Sequence, residues 1–309
     1  MTFSASDAAF EGFRLVRRKP MALVAWGLLY TVLSLLSLLA LSSAIDPLMA
    51  WAERMEALES ASQTATPEEV WAAFQGVGEV MLSLAWLLPV SIIVSAMLMA
   101  AVARAVLNPR AGGFGYLRLG MDELRVFVVT LVLGILMMCA WIALSIAFAV
   151  LAGIAGATGA QWMWLVVLLA VLAGVAAIIW LAVRLCLAVP ITVAENRFAF
   201  FDSFGLTRGR FWPLFGMAVI TLVMVIVVQL LGGIVTMPLS ILTGQQMWSF
   251  GGNHDPEMVR AALDVSNPWV IASAFAEGAV YALVVGVLYA PFAAAYRDIK
   301  GLGAETPTA

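Results

Sequence analysis

The sequence predicts an all-α, polytopic membrane protein with six transmembrane helices. Three observations carry that class. From Val126 to Val183 the chain runs 58 residues without an Asp, Glu, Lys, Arg or His. A hydrocarbon core of roughly 30 Å takes about 20 helical residues, so this stretch alone crosses twice, with a break only around Gly153 to Gln161. Apolar residues make up 63% of the chain and charged residues 11%, against a soluble average of about 25% charged. No ten-residue segments alternate apolar and polar as barrel strands do, and in lipid only helices then satisfy the backbone.

Apolar runs long enough to span occur at about 21–45, 79–107, 125–154, 162–192, 212–243 and 268–296, and residues 1–309 read as one integral membrane domain. Before the first run, Arg17-Arg18-Lys19 and a later Ser42-Ser43-Ala44 imitate a secretory signal. The run is far longer than the 7–15 residues of a signal core, and the Phe-Leu that normally follows twin arginines is missing. An uncleaved first span is expected.

Charge sets the orientation. Arg14, Arg17, Arg18 and Lys19 precede span one; Arg104, Arg110, Arg118 and Arg125 lie between spans two and three; Arg184, Arg197, Arg208 and Arg210 lie between four and five. Arg297 and Lys300 close span six, which leaves only Arg54 and Arg260 of the sixteen basic residues on the other side. The positive-inside rule then predicts a bacterial inner-membrane protein with both termini cytoplasmic.

The opposite loops are acidic and rich in helix starts. In loop 46–78, Leu48, Trp51, Met55 and Leu58 recur at helical spacing against Glu53, Glu56 and Glu59, which predicts a short helix along the outer interface. Thr66-Pro67-Glu68-Glu69 then starts a second helix with a capping hydroxyl, a proline at the first helical position and an acid three residues after the cap. Asp255-Pro256-Glu257 repeats the device, and Asn267-Pro268 starts span six. Helix capping accounts for these acids better than metal binding does. Cys139 and Cys186 sit in apolar runs without partners at ligand spacing and read as packing residues; His254 is loop decoration. No cofactor is expected.

A short pattern recurs before spans one, three and five. Phe10-Glu-Gly-Phe13-Arg-Leu15 lies over Phe114-Gly-Tyr-Leu117-Arg-Leu119 and Phe201-Asp-Ser-Phe204-Gly-Leu206. Apolar residues at i, i+3 and i+5 with a basic flank describe an amphipathic helix on the membrane surface. The chain then reads as three units of interfacial helix plus transmembrane hairpin. The competing reading is that any helix entering a membrane from its basic side acquires aromatic and arginine anchors.

After span four the chain runs Arg184-Leu-Cys-Leu-Ala-Val-Pro190-Ile-Thr-Val-Ala-Glu195-Asn and then Phe201-Asp-Ser203-Phe-Gly-Leu-Thr-Arg208-Gly-Arg-Phe-Trp212. With Ala295-Tyr296-Arg297-Asp298 at the end of span six, this resembles the glycerophosphoryl diester phosphodiesterase membrane-domain family, many of whose members are free-standing bacterial membrane proteins. The resemblance covers most of the chain and is specific between about 184 and 215; Asp202 stands where that family is more often basic. The family name implies an enzyme, but a phosphodiesterase barrel needs about 250 residues and a metal-binding cluster of His, Glu and Asp, and neither fits here.

Candidate functional residues are the charges inside spans, which are costly in hydrocarbon and tend to be paired or functional. Glu277 lies inside span six with Ser273 and Tyr281 one turn to either side. Glu79 and Ser83 begin a polar stripe on span two that continues through Ser91 and Ser95, so the two stripes are expected to face each other. A proton- or solute-coupled site and a carboxyl merely satisfied within the bundle both fit. Arg17, Arg18, Arg104, Arg184, Arg208 and Arg210 are placed to reach lipid phosphates. Pro89 and Pro291 are expected to kink spans two and six. No nucleophile–base pair, phosphate-cradling Gly-rich loop or HExxH is present, so no catalysis is expected. The sequence thus predicts a non-catalytic accessory or scaffold in envelope or lipid-linked processes; the alternative is a small-solute or lipid carrier built around Glu277. Expected partners are membrane lipids, or another membrane or cytoplasmic protein, and no nucleic acid.

Overall fold

The structure is a computed structural model that describes residues 4–60, 66–110, 113–118, 120–243 and 260–302. Its helices are α1 (Ala5–Ala9), α2 (Glu11–Arg18), α3 (Pro20–Ser60), α4 (Pro67–Leu84), α5 (Leu87–Leu107), α6 (Met121–Thr158), α7 (Gln161–Leu185), α8 (Ala188–Glu195), α9 (Asp202–Leu206), α10 (Phe211–Leu242) and α11 (Pro268–Ile299). A 3-10 turn occupies Phe114–Tyr116. Among the described residues there is no strand, and six helical segments are long and apolar enough to cross a bilayer. The chain is an all-α, multi-pass membrane protein. The expected cap at Asp255-Pro256-Glu257, like His254, lies outside the described residues.

Two of the six predicted runs are broken helices. The run at about 79–107 is α4 and α5, separated at Ala85-Trp86, where the Leu88 N–H donates to the Ala85 carbonyl at 3.3 Å. The run at about 162–192 is α7 and α8, separated at Cys186-Leu187. Each new helix carries a proline at its third position, Pro89 and Pro190. A proline has no N–H to give to the carbonyl four residues back, and its ring crowds that carbonyl. Placing it in a new first turn, where N–H groups are unpaired anyway, removes both problems. Pro89 therefore restarts a helix where a kink was expected. Pro47, Pro238 and Pro291 instead lie inside continuous helices.

The predicted outer-interface helix is not a separate element. It is the far end of α3, which runs through Pro47 to Ser60. Its Trp51 packs on α4 rather than on lipid: a Cβ on Gly76 would lie 3.1 Å from Trp51 Cδ1. The start of α4 at Pro67 and of α11 at Pro268 follow the capping signals, and Asn267 Oδ1 accepts the Trp269 N–H at 3.0 Å.

The three recurring Phe segments differ. Phe10 precedes the eight-residue α2, and Phe201 precedes the five-residue α9. Phe114 begins only a 3-10 turn. Gly115 and Tyr116 have φ of 64° and 58°, a left-handed geometry that ends any α-helix after one turn. The middle copy is thus not the amphipathic helix predicted for it.

The chain forms two compact units, both discontinuous in sequence. One comprises Met1–Lys19, Ala96–Val225 and Val285–Ala309. In it α6 packs along α7, with Leu144 pressed onto Gly174, and Gly12 of α2 sits on α11 so closely that a Cβ would lie 2.9 Å from the Gly286 carbonyl oxygen. The other comprises Pro20–Ser95 and Ile226–Val284. There α3 pairs with α4, Gly27 meets Gly278 where α3 crosses α11, and Gly232 of α10 receives Val280 of α11. Small residues at such crossings let backbones approach closely, as membrane helices do where no hydrophobic drive holds them together.

Candidate functional site

The first unit concentrates the basic residues, and the arginines that close spans two, four and six are bound into it. Arg104, near the end of α5, forms an ion pair with Glu123, and both side chains are only 8% exposed. Its guanidinium also donates to the Tyr116 carbonyl at 2.6 Å. Glu123, in the first turn of α6, accepts the Gly120 N–H at 3.0 Å and so caps that helix as well. Arg104 was expected to reach lipid phosphates; it is buried because an acid from the next segment closes over it. Arg184, at the end of α7, lies over the Trp180 ring at 5.3 Å and donates to the Phe204 carbonyl and to Thr207 Oγ1, both at 3.4 Å. Half-buried, it too is turned into the protein. Arg297, at the end of α11, pairs with Glu11 of α2 at 3.5 Å.

The three contacts share a logic. Spans two, four and six each end in an arginine bound to a residue of the stretch that leads into span three, five or one. The Phe-containing stretches thus serve as seats for these arginines, and the helical form of the stretch is secondary.

The segment that carried the family resemblance is held by the same kind of bonding. The buried Ser203 hydroxyl accepts the Leu187 N–H at 3.2 Å, satisfying a backbone group at the α7–α8 break. Thr207, also buried, returns its hydroxyl to the Ser203 carbonyl at 2.8 Å. Glu195 accepts from Tyr296 at 3.1 Å and pairs with Lys300 at 3.3 Å and Arg197 at 2.7 Å. Asp202, the departure from the family pattern, pairs with Arg197 at 2.6 Å. The hydrogen bond to Glu195, with the Asp202 charge adding to it, raises Arg197 above its ordinary pKa.

Four of the predicted headgroup arginines remain at the surface. Arg17 and Arg18 end α2, and Arg208 and Arg210 follow α9; all four are exposed. Arg210 makes only a 3.5 Å contact with the Leu206 carbonyl. Their neighbours in sequence are exposed aromatics, Phe13 at 41%, Phe201 at 59% and Trp212 at 75%.

The second unit holds the predicted intramembrane polar residues, and it divides them. Glu79 and Ser83 lie on α4, where Glu79 faces Arg54 of α3 at 3.9 Å and the Ser83 hydroxyl bonds the Val80 carbonyl at 2.7 Å. Among the described residues no hydrogen bond or ion pair links either of them to Glu277. Ser273 is buried and donates to the Val270 carbonyl at 2.8 Å. Tyr281 stacks on Tyr30 of α3, with ring centroids 3.6 Å apart and planes 17° from parallel. Thr31, next to Tyr30, donates to the Gly27 carbonyl at 2.9 Å and to the Ala274 carbonyl at 3.4 Å, joining α3 to α11. Glu277 is exposed and lies within electrostatic range of Tyr30. Its ring partner thus comes from span one, where the sequence pointed to span two.

Sequence reasoning passed over Glu123, Glu11 and Tyr30. Glu123 carries a local signal, an acid three residues after a glycine at a helix start; Glu11 and Tyr30 take their meaning only from contacts distant in sequence. No family model, curated protein or solved structure matches the chain.

Proposed function

We propose that this chain is a non-catalytic multi-pass protein of a bacterial inner membrane, with both termini cytoplasmic. It works as an accessory or scaffold in envelope or lipid-linked processes. The charge distribution supports the orientation, because fourteen of sixteen basic residues fall on one side of six spans. The resemblance to the free-standing phosphodiesterase membrane domains supports a lipid-linked setting. The single observation that carries the reading is the division of labour among the arginines. Arg104, Arg184 and Arg297 are bound into the fold, while Arg17, Arg18, Arg208 and Arg210 stand exposed. Exposed arginines with exposed aromatic rings nearby in sequence suit anionic headgroups, with phosphates on the guanidinium groups and rings at the interface. A cytoplasmic protein that covers the same arginines is the other partner.

The test is native mass spectrometry of the full chain released from nanodiscs of mixed phosphatidylglycerol and phosphatidylcholine. The wild type is expected to retain phosphatidylglycerol selectively, and a variant with all four arginines changed to Gln to lose that selectivity. Equal retention by both proteins refutes the lipid assignment.

A second reading, a small-solute or lipid carrier, draws support from one observation. Glu277 is exposed although Ser273 and Ala274, one turn before it, are buried and Tyr281, one turn after it, is half-buried.

A further inference from the structure

Residues one turn apart on a helix share a face. On α11, Val270, Ser273, Ala274 and Val284 surround Glu277 on its face and are 0%, 2%, 1% and 5% exposed, yet Glu277 itself is exposed. Val280 and Tyr281, the next turn on that face, are half-buried, so Glu277 is the exposed group between a buried turn and a half-buried one. Beside it is the stacked pair Tyr30–Tyr281, both rings half-buried. One face of each ring is covered by the other, and each side chain keeps part of its surface exposed.

The neighbouring hydroxyls are already spent. Ser273 gives its proton to the Val270 carbonyl and Thr31 to the Gly27 carbonyl. Among the described residues no hydrogen bond or ion pair reaches Glu277. The positions are also fixed, because α3 and α11 meet backbone to backbone: a Cβ on Gly278 would collide with Thr31 Oγ1 and lie 2.7 Å from the Gly27 carbonyl oxygen. A carboxyl in a membrane span without a protein partner either takes up a proton or meets a cation, and the two rings beside it favour the cation. A hard metal ion wants six or more oxygen ligands, and this site offers one carboxylate and two phenols. An ammonium group suits it better: the carboxylate supplies the counter-charge and the rings supply cation–π surface.

We propose that Glu277, Tyr30 and Tyr281 form a binding site for an ammonium group, carried either by a lipid headgroup or by a free amine. The inference rests on the carrier reading and gives it a ligand class.

Two arms test it with the full chain in nanodiscs. In the lipid arm, retention of phosphatidylethanolamine against phosphatidylglycerol is counted by native mass spectrometry. In the soluble arm, binding of radiolabelled ethanolamine to protein in pure phosphatidylglycerol discs is measured by scintillation proximity. Glu277→Gln is expected to lower binding about tenfold or more, and Tyr30→Leu about threefold or more, while Tyr30→Phe stays near wild type. An effect confined to the lipid arm assigns a headgroup; one confined to the soluble arm assigns a free amine. The proposal is overturned if the wild type binds neither probe, or if Glu277→Gln binds as the wild type does. Should Glu277→Gln fail to yield monodisperse protein, the contrast between Tyr30→Leu and Tyr30→Phe decides, and equal binding by the two overturns the proposal. Uptake of labelled ethanolamine into proteoliposomes tests the carrier reading separately: intact binding without uptake leaves the site standing and removes the carrier.

Discussion

Removing the charge of Glu123 isolates the reason that Arg104 is buried. In Glu123→Gln the side chain keeps one acceptor oxygen for two donors, the Arg104 guanidinium and the Gly120 N–H, which Glu123 now satisfies with its two oxygens. Its new NH2 group faces a donor in place of an acceptor. Arg104 keeps its bond to the Tyr116 carbonyl but loses its counter-charge at a position where both side chains are only 8% exposed. Breaking one partner of such a buried pair costs about 3–5 kcal/mol. Replacing both partners, as Arg104→Met with Glu123→Leu, removes the stranded charge and leaves an unpaired Tyr116 carbonyl and Gly120 N–H. Each costs about 1 kcal/mol when water reaches it poorly, so the double variant should lie only about 1–2 kcal/mol below the wild type. Equilibrium unfolding in mixed micelles titrated with sodium dodecyl sulfate, followed by tryptophan fluorescence, compares Glu123→Gln with the wild type and measures the cycle of Arg104→Met, Glu123→Leu and their double. Single variants within about 1 kcal/mol of the wild type, or a double variant no better than the sum of its parts, would refute the buried latch and return Arg104 to the lipid surface.

Other perturbations follow from the same geometry. Gly278→Ala should cost about 1–3 kcal/mol, because its Cβ meets the Gly27 carbonyl and the Thr31 main chain, whereas Gly174→Ala meets only the movable end of Leu144 and should be milder; the same unfolding titration ranks them. Reporter fusions after residues 60, 157 and 255 should report the outer side and fusions after 115, 205 and 305 the cytoplasm, and one inverted result breaks the six-span order. The Ser266 hydroxyl at 2.8 Å and N–H at 2.9 Å hold Asp264 below the usual aspartate pKa of about 3.9. A depressed carboxylate contributes fully above its unfolded pKa and loses that contribution as pH falls through its native one. Ser266→Ala should therefore raise the Asp264 pKa and move the start of acid destabilisation to higher pH, as a pH series of thermal scans would read out; an unchanged acid limb refutes the contact.

The six spans were legible because their signal is local and large: 58 residues without charge need no tertiary information. The helix starts at Pro67 and Pro268 were legible for the same reason, since a cap and its proline are neighbours. The breaks at Ala85-Trp86 and Cys186-Leu187 were not, because hydropathy does not register a two-residue turn inside an apolar run. Pro89 marked the place, but a proline in a first turn and a proline in a kink look alike in one dimension. Arg104 and Arg184 were read by their nearness to the membrane surface, and the exposed Arg17, Arg18, Arg208 and Arg210 by the same rule. What separated the two groups was Glu123, Phe204 and Thr207, each at least sixteen residues away along the chain from the arginine it binds. The partners of the polar residues were not legible either: Glu79 on α4 answers Arg54, and Tyr281 on α11 meets Tyr30 on α3 beside a glycine contact that only the packed helices reveal.

Of the arginines placed to reach lipid phosphates, Arg104 and Arg184 are bound into the fold, and Arg17, Arg18, Arg208 and Arg210 are proposed to meet the headgroups. Solid-state NMR dephasing of arginine 13Cζ by lipid 31P in phosphatidylglycerol proteoliposomes measures that contact atom to atom. Strong dephasing is expected for the wild type, largely lost when Arg17, Arg18, Arg208 and Arg210 are changed to Gln and unaffected when Arg104 is changed to Lys. Dephasing that disappears with Arg104→Lys, or that persists in full without the four exposed arginines, would contradict the account.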